Sequence, residues 1–197
     1  MPAPYHDDGK GRVIYHGDCR ELLPLIRPGC VDLVLTDPPY PDCHTERYRY
    51  DESALSLFSD WPIRQLVFWT TRQDYPFTWN ARHVWDKRKG GAGSAYEFIY
   101  DRNGSREQWV FPFVSIQNPV RAKFSRNPYF NHDSQKPEQL MRRLCDIGGG
   151  DLLLDPFLGS DTTLRAAKDL GRLGIGIEIE ERYCEIAAKR LAQEVLF

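Results

Sequence analysis

Apolar runs and helical stripes alternate along most of the chain. Val13-Ile14-Tyr15 reads as a strand and is followed by a helical pattern through Leu22, Leu23 and Ile26, with Gly29 as its stop. Val31 to Leu35 is a buried strand. A short helix over about 53–60 leads to another strand at Leu66 to Thr70, and Val84-Trp85 and Tyr96 to Tyr100 supply later strands. From Ser134 the signals are sharper. Ser134 is a cap, Pro137 suits a first turn, Leu140, Leu144 and Ile147 make one stripe, and Gly148-Gly149-Gly150 end it. Leu152-Leu153-Leu154, a helix to Leu170, a strand from Leu173 to Ile177 and a helix bearing Tyr183, Ile186, Ala187, Arg190 and Leu191 complete the pattern. Alternating strands and helices predict an α/β fold, a parallel sheet with helices on both faces.

Two strands end abruptly. The run from Val31 stops at Asp37-Pro38-Pro39-Tyr40, where paired prolines cannot continue a sheet ladder and so turn the backbone out. Leu152 to Leu154 stops at Asp155-Pro156-Phe157-Leu158-Gly159-Ser160. Strand ends of this kind form the ligand crevice of open α/β sheets. Glu178 closes the next strand, 23 positions after Asp155, near the offset at which an acid meets ribose hydroxyls in nucleoside sites. The turn does not follow G-x-G-x-x-G, so a nucleoside cofactor without a pyrophosphate fits better than a nicotinamide or a flavin.

Composition adds little until it is read locally. At 197 residues the length favours one domain, and a net charge of -2 with 41% hydrophobic residues is ordinary for a globular protein. Between Arg82 and Phe130, however, nine Lys/Arg face four Asp/Glu, which predicts a polyanion-facing surface. Five cysteines without C-x-x-C spacing indicate neither a disulfide framework nor a metal site, and a reducing cytoplasm is expected. No apolar run reaches membrane-spanning length, and Met1-Pro2-Ala3-Pro4 lacks a signal peptide's apolar core. The Lys87 to Ser94 loop lacks the Gly-Lys-Ser/Thr ending of a P-loop. His44-Thr45-Glu46 has the H-x-E spacing of zinc deaminases without their P-C-x-x-C partner, and no nucleophile elbow occurs.

Thr36-Asp37-Pro38-Pro39-Tyr40 resembles the catalytic motif of DNA amino-methyltransferases, enzymes that methylate adenine N6 or cytosine N4 from S-adenosyl-L-methionine. Asp155 to Ser160 resembles their cofactor motif, His132 to Pro137 the segment before it, and Gly176-Ile177-Glu178 the second cofactor strand. Gly17-Asp18-Cys19 resembles the adenine-contacting turn. The order matches the subgroup whose catalytic motif comes first, and nearly the whole chain is covered. The resemblance implies a Rossmann-like, mostly parallel seven-stranded sheet.

It also implies the site. Asp37, Pro38, Pro39 and Tyr40 would be catalytic. Asp18, Cys19, Lys136, Asp155, Phe157, Gly159, Ser160, Asp161, Thr162, Thr163 and Glu178 would bind cofactor. Lys87, Arg88, Lys89, Arg121, Lys123 and Arg126 are the expected contacts to double-stranded DNA, with a minimal target-recognition segment at about 103–131. The acid of Asp-Pro-Pro-Tyr favours adenine over cytosine, and RNA stays open as a substrate. A homodimer and a restriction endonuclease partner are expected by analogy. Asp161 stands where the family usually has glycine; it would crowd the cofactor, repel its carboxylate or bond its α-amino group. The competing expectation is an inactive DNA- or partner-binding remnant.

Overall fold

The computed structural model describes residues 1–41, 52–88, 95–113 and 135–193. Nine strands join one sheet: β1 (His6–Asp7), β2 (Arg12–His16), β3 (Leu33–Thr36), β4 (Arg64–Trp69), β5 (Ala81–Asp86), β6 (Tyr96–Arg102), β7 (Val110–Phe111), β8 (Leu152–Asp155) and β9 (Leu173–Glu178). Their order is β1-β2-β9-β8-β3-β4-β6-β5-β7. The helices are α1 (Cys19–Leu22), α2 (Glu52–Ser59), α3 (Glu138–Gly148), α4 (Thr163–Asp169) and α5 (Glu181–Ala192).

The sheet is mixed and nine-stranded rather than seven-stranded. Its centre, β2-β9-β8-β3-β4, is parallel throughout. β6 then runs antiparallel to β4 and to β5, which with the central five makes the expected seven. The two extra strands are two-residue edges: β1 lies antiparallel on β2, and β7 parallel on β5. Pairs that short carry no periodicity to read.

The first helix also departs from its pattern. α1 stops at Leu22, because Pro24 and Pro28 lack the amide a continuing helix needs; 3-10 turns at Leu23–Leu25 and Pro28–Cys30 follow. Gly29 therefore sits inside a turn. Helix α3 starts on Pro137 without a side-chain cap, and Ser134 lies outside the described residues.

Side-chain alternation sorts the parallel strands into two cores. Leu33, Leu35, Leu66, Phe68 and Leu153 pack beneath α3 and α4, against Leu140, Met141, Leu144 and Ala167. Val34, Val67, Trp69 and Leu154 face the other way, against Leu22, Leu23, Leu55 and Phe58. A third cluster joins Ile14, Leu158 and Leu164 to Cys184, Ala187 and Leu191 of α5. Gly176 permits this closure: a Cβ there would lie 2.6 Å from Leu158 and 3.0 Å from Leu164.

Candidate active site

The chain leaves β8 toward β9 on one side and β3 toward β4 on the other, so strand order reverses between β8 and β3. Ligands of open α/β sheets bind at such a reversal, beyond the carboxyl ends of the strands. Here Thr36 Oγ1 donates to Asp155 Oδ1 at 2.6 Å across the reversal. Asp155 Oδ2 accepts from Thr163 Oγ1 at 2.5 Å, and the Phe157 amide donates to Oδ1 at 3.1 Å. Burial lifts the Asp155 carboxyl to about 6, against the pull of these three donors. Asp155 thus ties β3, β8 and the start of α4 together.

On the β9 side, pairing of His16 with Glu178 brings the Gly17-Asp18 turn alongside Glu178. The Gly159 amide donates to Glu178 Oε2 and the Glu180 amide to Oε1, both at 2.7 Å. A carboxylate has about four acceptor positions, so two remain after these bonds, enough for the paired hydroxyls of a ribose. Burial nevertheless raises the Glu178 carboxyl above its ordinary range. Asp18 caps α1 by accepting from the Arg20 amide, and its carboxylate also pairs with the Arg20 guanidinium. Cys19 is buried in the core with its thiol pushed up to about 12, so it packs and does not react. Phe157 packs against the core that contains Leu154, while Ser160 and Thr162 are buried in the loop and Thr163 at the start of α4.

Asp161 holds a left-handed φ of 66°, the conformation that glycine adopts without strain. Its side chain is fully buried, and neither oxygen completes a hydrogen bond. Burial pushes the carboxyl well above the carboxylate range, although Arg190 and the Leu164 and Arg165 amides lie close enough to oppose it. Arg190 itself donates to Ser160 O at 2.7 Å and to Glu138 at 2.9 Å. The carboxyl is sealed beneath the loop and does not line its open side.

On the β3 side Asp37 is gripped at both oxygens. Tyr40 donates its hydroxyl to Oδ1 at 2.6 Å, and Lys136 its ammonium to Oδ2 at 2.5 Å. Lys136, expected among the cofactor contacts, therefore meets the Asp37 carboxylate. It also lies 3.3 Å from Glu97 Oε2, and Glu97 Oε1 accepts from Lys87 at 2.5 Å. Burial lowers the basicity of Lys136, but Asp37 and Glu97 outweigh it and hold the ammonium above its ordinary range. Desolvation, then Asp37 and Glu97, raise the Tyr40 hydroxyl well above a free tyrosine. The Tyr40 ring stands edge-on to Trp69, with centroids 5.8 Å apart. Pro38 is buried at the strand exit and Pro39 is half-buried beside it.

Glu97 was not legible as a site residue. The signal was a lone acid, flanked by Tyr96 and Phe98, at the start of a strand in a basic stretch. Lys87 turns inward to it instead of outward, while Arg88 is exposed and pairs with Asp86 at 3.2 Å. Arg82 lies 4.3 Å from the Phe98 ring. Lys89, Arg121, Lys123, Arg126 and the His44-Glu46 pair fall outside the described residues. Among the described residues no cluster of potential metal ligands occurs, and the four described cysteines are free.

A sheet with a parallel centre, a buried strand-end acid on one side of its switch point and a gripped Asp-Pro-Pro-Tyr on the other has the architecture of a Rossmann-like transferase. The family model for DNA methylase matches residues 62–189, and the chain belongs to that family. It is 52% identical to the type II methyltransferase M2.DpnII of Streptococcus pneumoniae over 98% of this chain and 94% of that protein. It is 27% identical to the DNA adenine methyltransferase YhdJ of Escherichia coli (strain K12), over 95% and 85% respectively. Among solved structures, the M1.HpyAVI complex with SAM superposes with a TM-score of 0.59 at 23% identity, covering 90% of this chain and 98% of that one.

Proposed function

We propose that this DNA methylase transfers a methyl group from S-adenosyl-L-methionine to N6 of an adenine flipped out of duplex DNA at a specific site. The observation that carries this reading is the meeting of Asp37 and Asp155 at one switch point through Thr36. The similarity to the DNA adenine methyltransferase YhdJ supports adenine as the base.

An exocyclic amino nitrogen is a poor nucleophile because its lone pair is delocalised into the ring. By accepting an N–H from it, Asp37 would draw the nitrogen toward tetrahedral geometry and free that pair. Tyr40 would stack on the flipped base, and Pro38 and Pro39 would fix the acceptor at the strand exit. Glu178 would hold the ribose hydroxyls, with Asp18 next to it beside the adenine. When bound, S-adenosyl-L-methionine supplies an electrophilic sulfonium methyl. Because Asp161 is sealed under the loop, it leaves the open face of the cofactor site to Gly159 and its neighbours, and the inactive-remnant reading has no geometric basis.

Arg88 and Lys89, with Arg121, Lys123 and Arg126, would meet phosphates, and residues 103–131 would serve as a minimal target-recognition segment within a single domain. A homodimer would compensate for that small segment, and a restriction endonuclease would share the recognition site. A reducing cytoplasm is the compartment that suits five cysteines without paired spacing. No described helix is long and apolar enough to cross a membrane.

Duplex DNA incubated with methyl-labelled cofactor, followed by sequencing of modified bases, tests the reading. Label in N6-methyladenine at one sequence context supports it; folded protein that transfers no label overturns it.

A further inference from the structure

Both oxygens of Asp37 are occupied before a base arrives, by the Tyr40 hydroxyl at 2.6 Å and the Lys136 ammonium at 2.5 Å. Each oxygen keeps a second acceptor position, so an amino group that donates to Asp37 enters beside a donor already held there and competes with it for the same carboxylate. A donor released inside a buried site needs another acceptor, because leaving it unpaired costs its full desolvation. Glu97 Oε2 already lies 3.3 Å from Lys136 Nζ and 3.5 Å from the Tyr40 hydroxyl. Its other oxygen is fixed by Lys87 at 2.5 Å, so Oε2 is held toward the two donors rather than free to rotate away.

The framework behind this contact is rigid. Glu97 sits on β6 opposite Trp85 of β5, and the Lys87 amide donates to Ala95 O at 2.9 Å just beyond. Lys136 lies 4.9 Å from the Phe68 ring and 5.8 Å from the Trp85 ring, which confines its ammonium between the two carboxylates. Two anions, Asp37 and Glu97, are balanced by two cations, Lys87 and Lys136, with Tyr40 between them.

We infer that Glu97 is a positioning residue that takes over the donor an incoming amino group displaces from Asp37. This rests on the reading of Asp37 as the acceptor of the base's N–H. The exchange keeps every buried donor paired as Asp37 changes partner, so the base does not have to break an ion pair outright. It also keeps Lys136 charged throughout, because one carboxylate always faces it.

The test is Glu97→Gln in the full chain, read in two ways. Methyl transfer to duplex DNA is expected to lose about tenfold to a hundredfold in kcat, with S-adenosylhomocysteine affinity within about twofold of wild type. In protein carrying ε-13C lysine, with the resonance assigned through Lys136→Arg, the Lys136 titration is expected to move to lower pH because one of its two anions is gone. A kcat within about twofold of wild type, or an unmoved Lys136 titration, overturns the inference. If Glu97→Gln does not bind S-adenosylhomocysteine, Glu97→Asp decides: it keeps the charge but withdraws the oxygen by one methylene. A kcat loss of about tenfold then supports the role, and an unchanged kcat overturns it. Wild-type protein that transfers no methyl group would sink the proposed function and this inference with it, whereas a wild type that transfers beside a Glu97→Gln of unchanged kcat overturns the inference alone.

Discussion

Lys136 Nζ lies 2.5 Å from Asp37 Oδ2, joining the segment just before α3 to the exit of β3. The ammonium is almost wholly enclosed, so this pair is a structural tie as well as part of the site. Removing one partner of a buried pair leaves an uncompensated charge, at a cost of roughly 3 kcal/mol. Lys136→Met should lower the urea midpoint accordingly, while Asp37→Ala, whose side chain is partly exposed, should lower it less.

Asp37→Ala should abolish detectable methyl transfer while S-adenosylhomocysteine binds within about threefold of wild type. Among the described residues Asp37 bonds Tyr40 and Lys136, both away from the Glu178 side of the cleft. Calorimetry beside a label-transfer assay separates the two effects. Loss of binding together with loss of transfer would refute the division of labour.

Glu178→Gln should weaken S-adenosylhomocysteine about tenfold to a hundredfold, since bonds to a charged acceptor are worth ~1.5–3 kcal/mol. The substitution also replaces one acceptor oxygen, either at Gly159 or at Glu180, by an amide that can only donate. An affinity equal to that of wild type would remove Glu178 from the ribose site.

Asp161→Gly should stabilise the protein by about 1–2 kcal/mol, because it relieves a left-handed non-glycine backbone and removes a buried carboxyl without a hydrogen bond. Chemical denaturation measures this, and a destabilised Asp161→Gly would contradict the geometry.

The same carboxyl sets a pH dependence. Burial raises the folded pKa of Asp155 to about 6 and of Asp161 well above the ordinary 3.8. The folded state therefore holds these protons more tightly than the unfolded chain. Their contribution is fully present below about pH 4 and is lost as pH rises through the folded values. The stability difference between Asp161→Asn and wild type should consequently widen in favour of the variant from pH 5 to pH 8. A difference that stays constant over that range would show that Asp161 does not titrate with folding.

Much of this fold could be read along the chain because apolar runs such as Leu33 to Leu35 and Leu153-Leu154 are buried on both faces and end at prolines or acids. Helix α1 could not be bounded the same way. Leu22, Leu23 and Ile26 have helical spacing, but Pro24 and Pro28 convert the second half into 3-10 turns that still bury Leu23 and Ile26. Edge strands β1 and β7 were invisible because two residues make no period. At the site, the Asp37 and Asp155 ends were evident from local order. The Lys136 contact with Asp37 and the part played by Glu97 were not, since each depends on segments far apart in the chain meeting across β3 and β6. Lys87 illustrates the same limit: a lysine in a basic loop signals a phosphate contact, and only its distance to Glu97 shows that its charge is spent indoors.

The Thr36 bond to Asp155 has a consequence for ancestry. Among the described residues the base-gripping half and the cofactor half meet through parallel pairing of β3 with β8 and through side-chain bonds, among them Thr36 with Asp155, Lys136 with Asp37 and Asp32 with the Asp151 and Leu152 amides. Nothing at the seam records which half was translated first. A gene could be cut and rejoined with the halves exchanged and would still fold to the same cleft, provided Thr36 still meets Asp155 and Lys136 still meets Asp37.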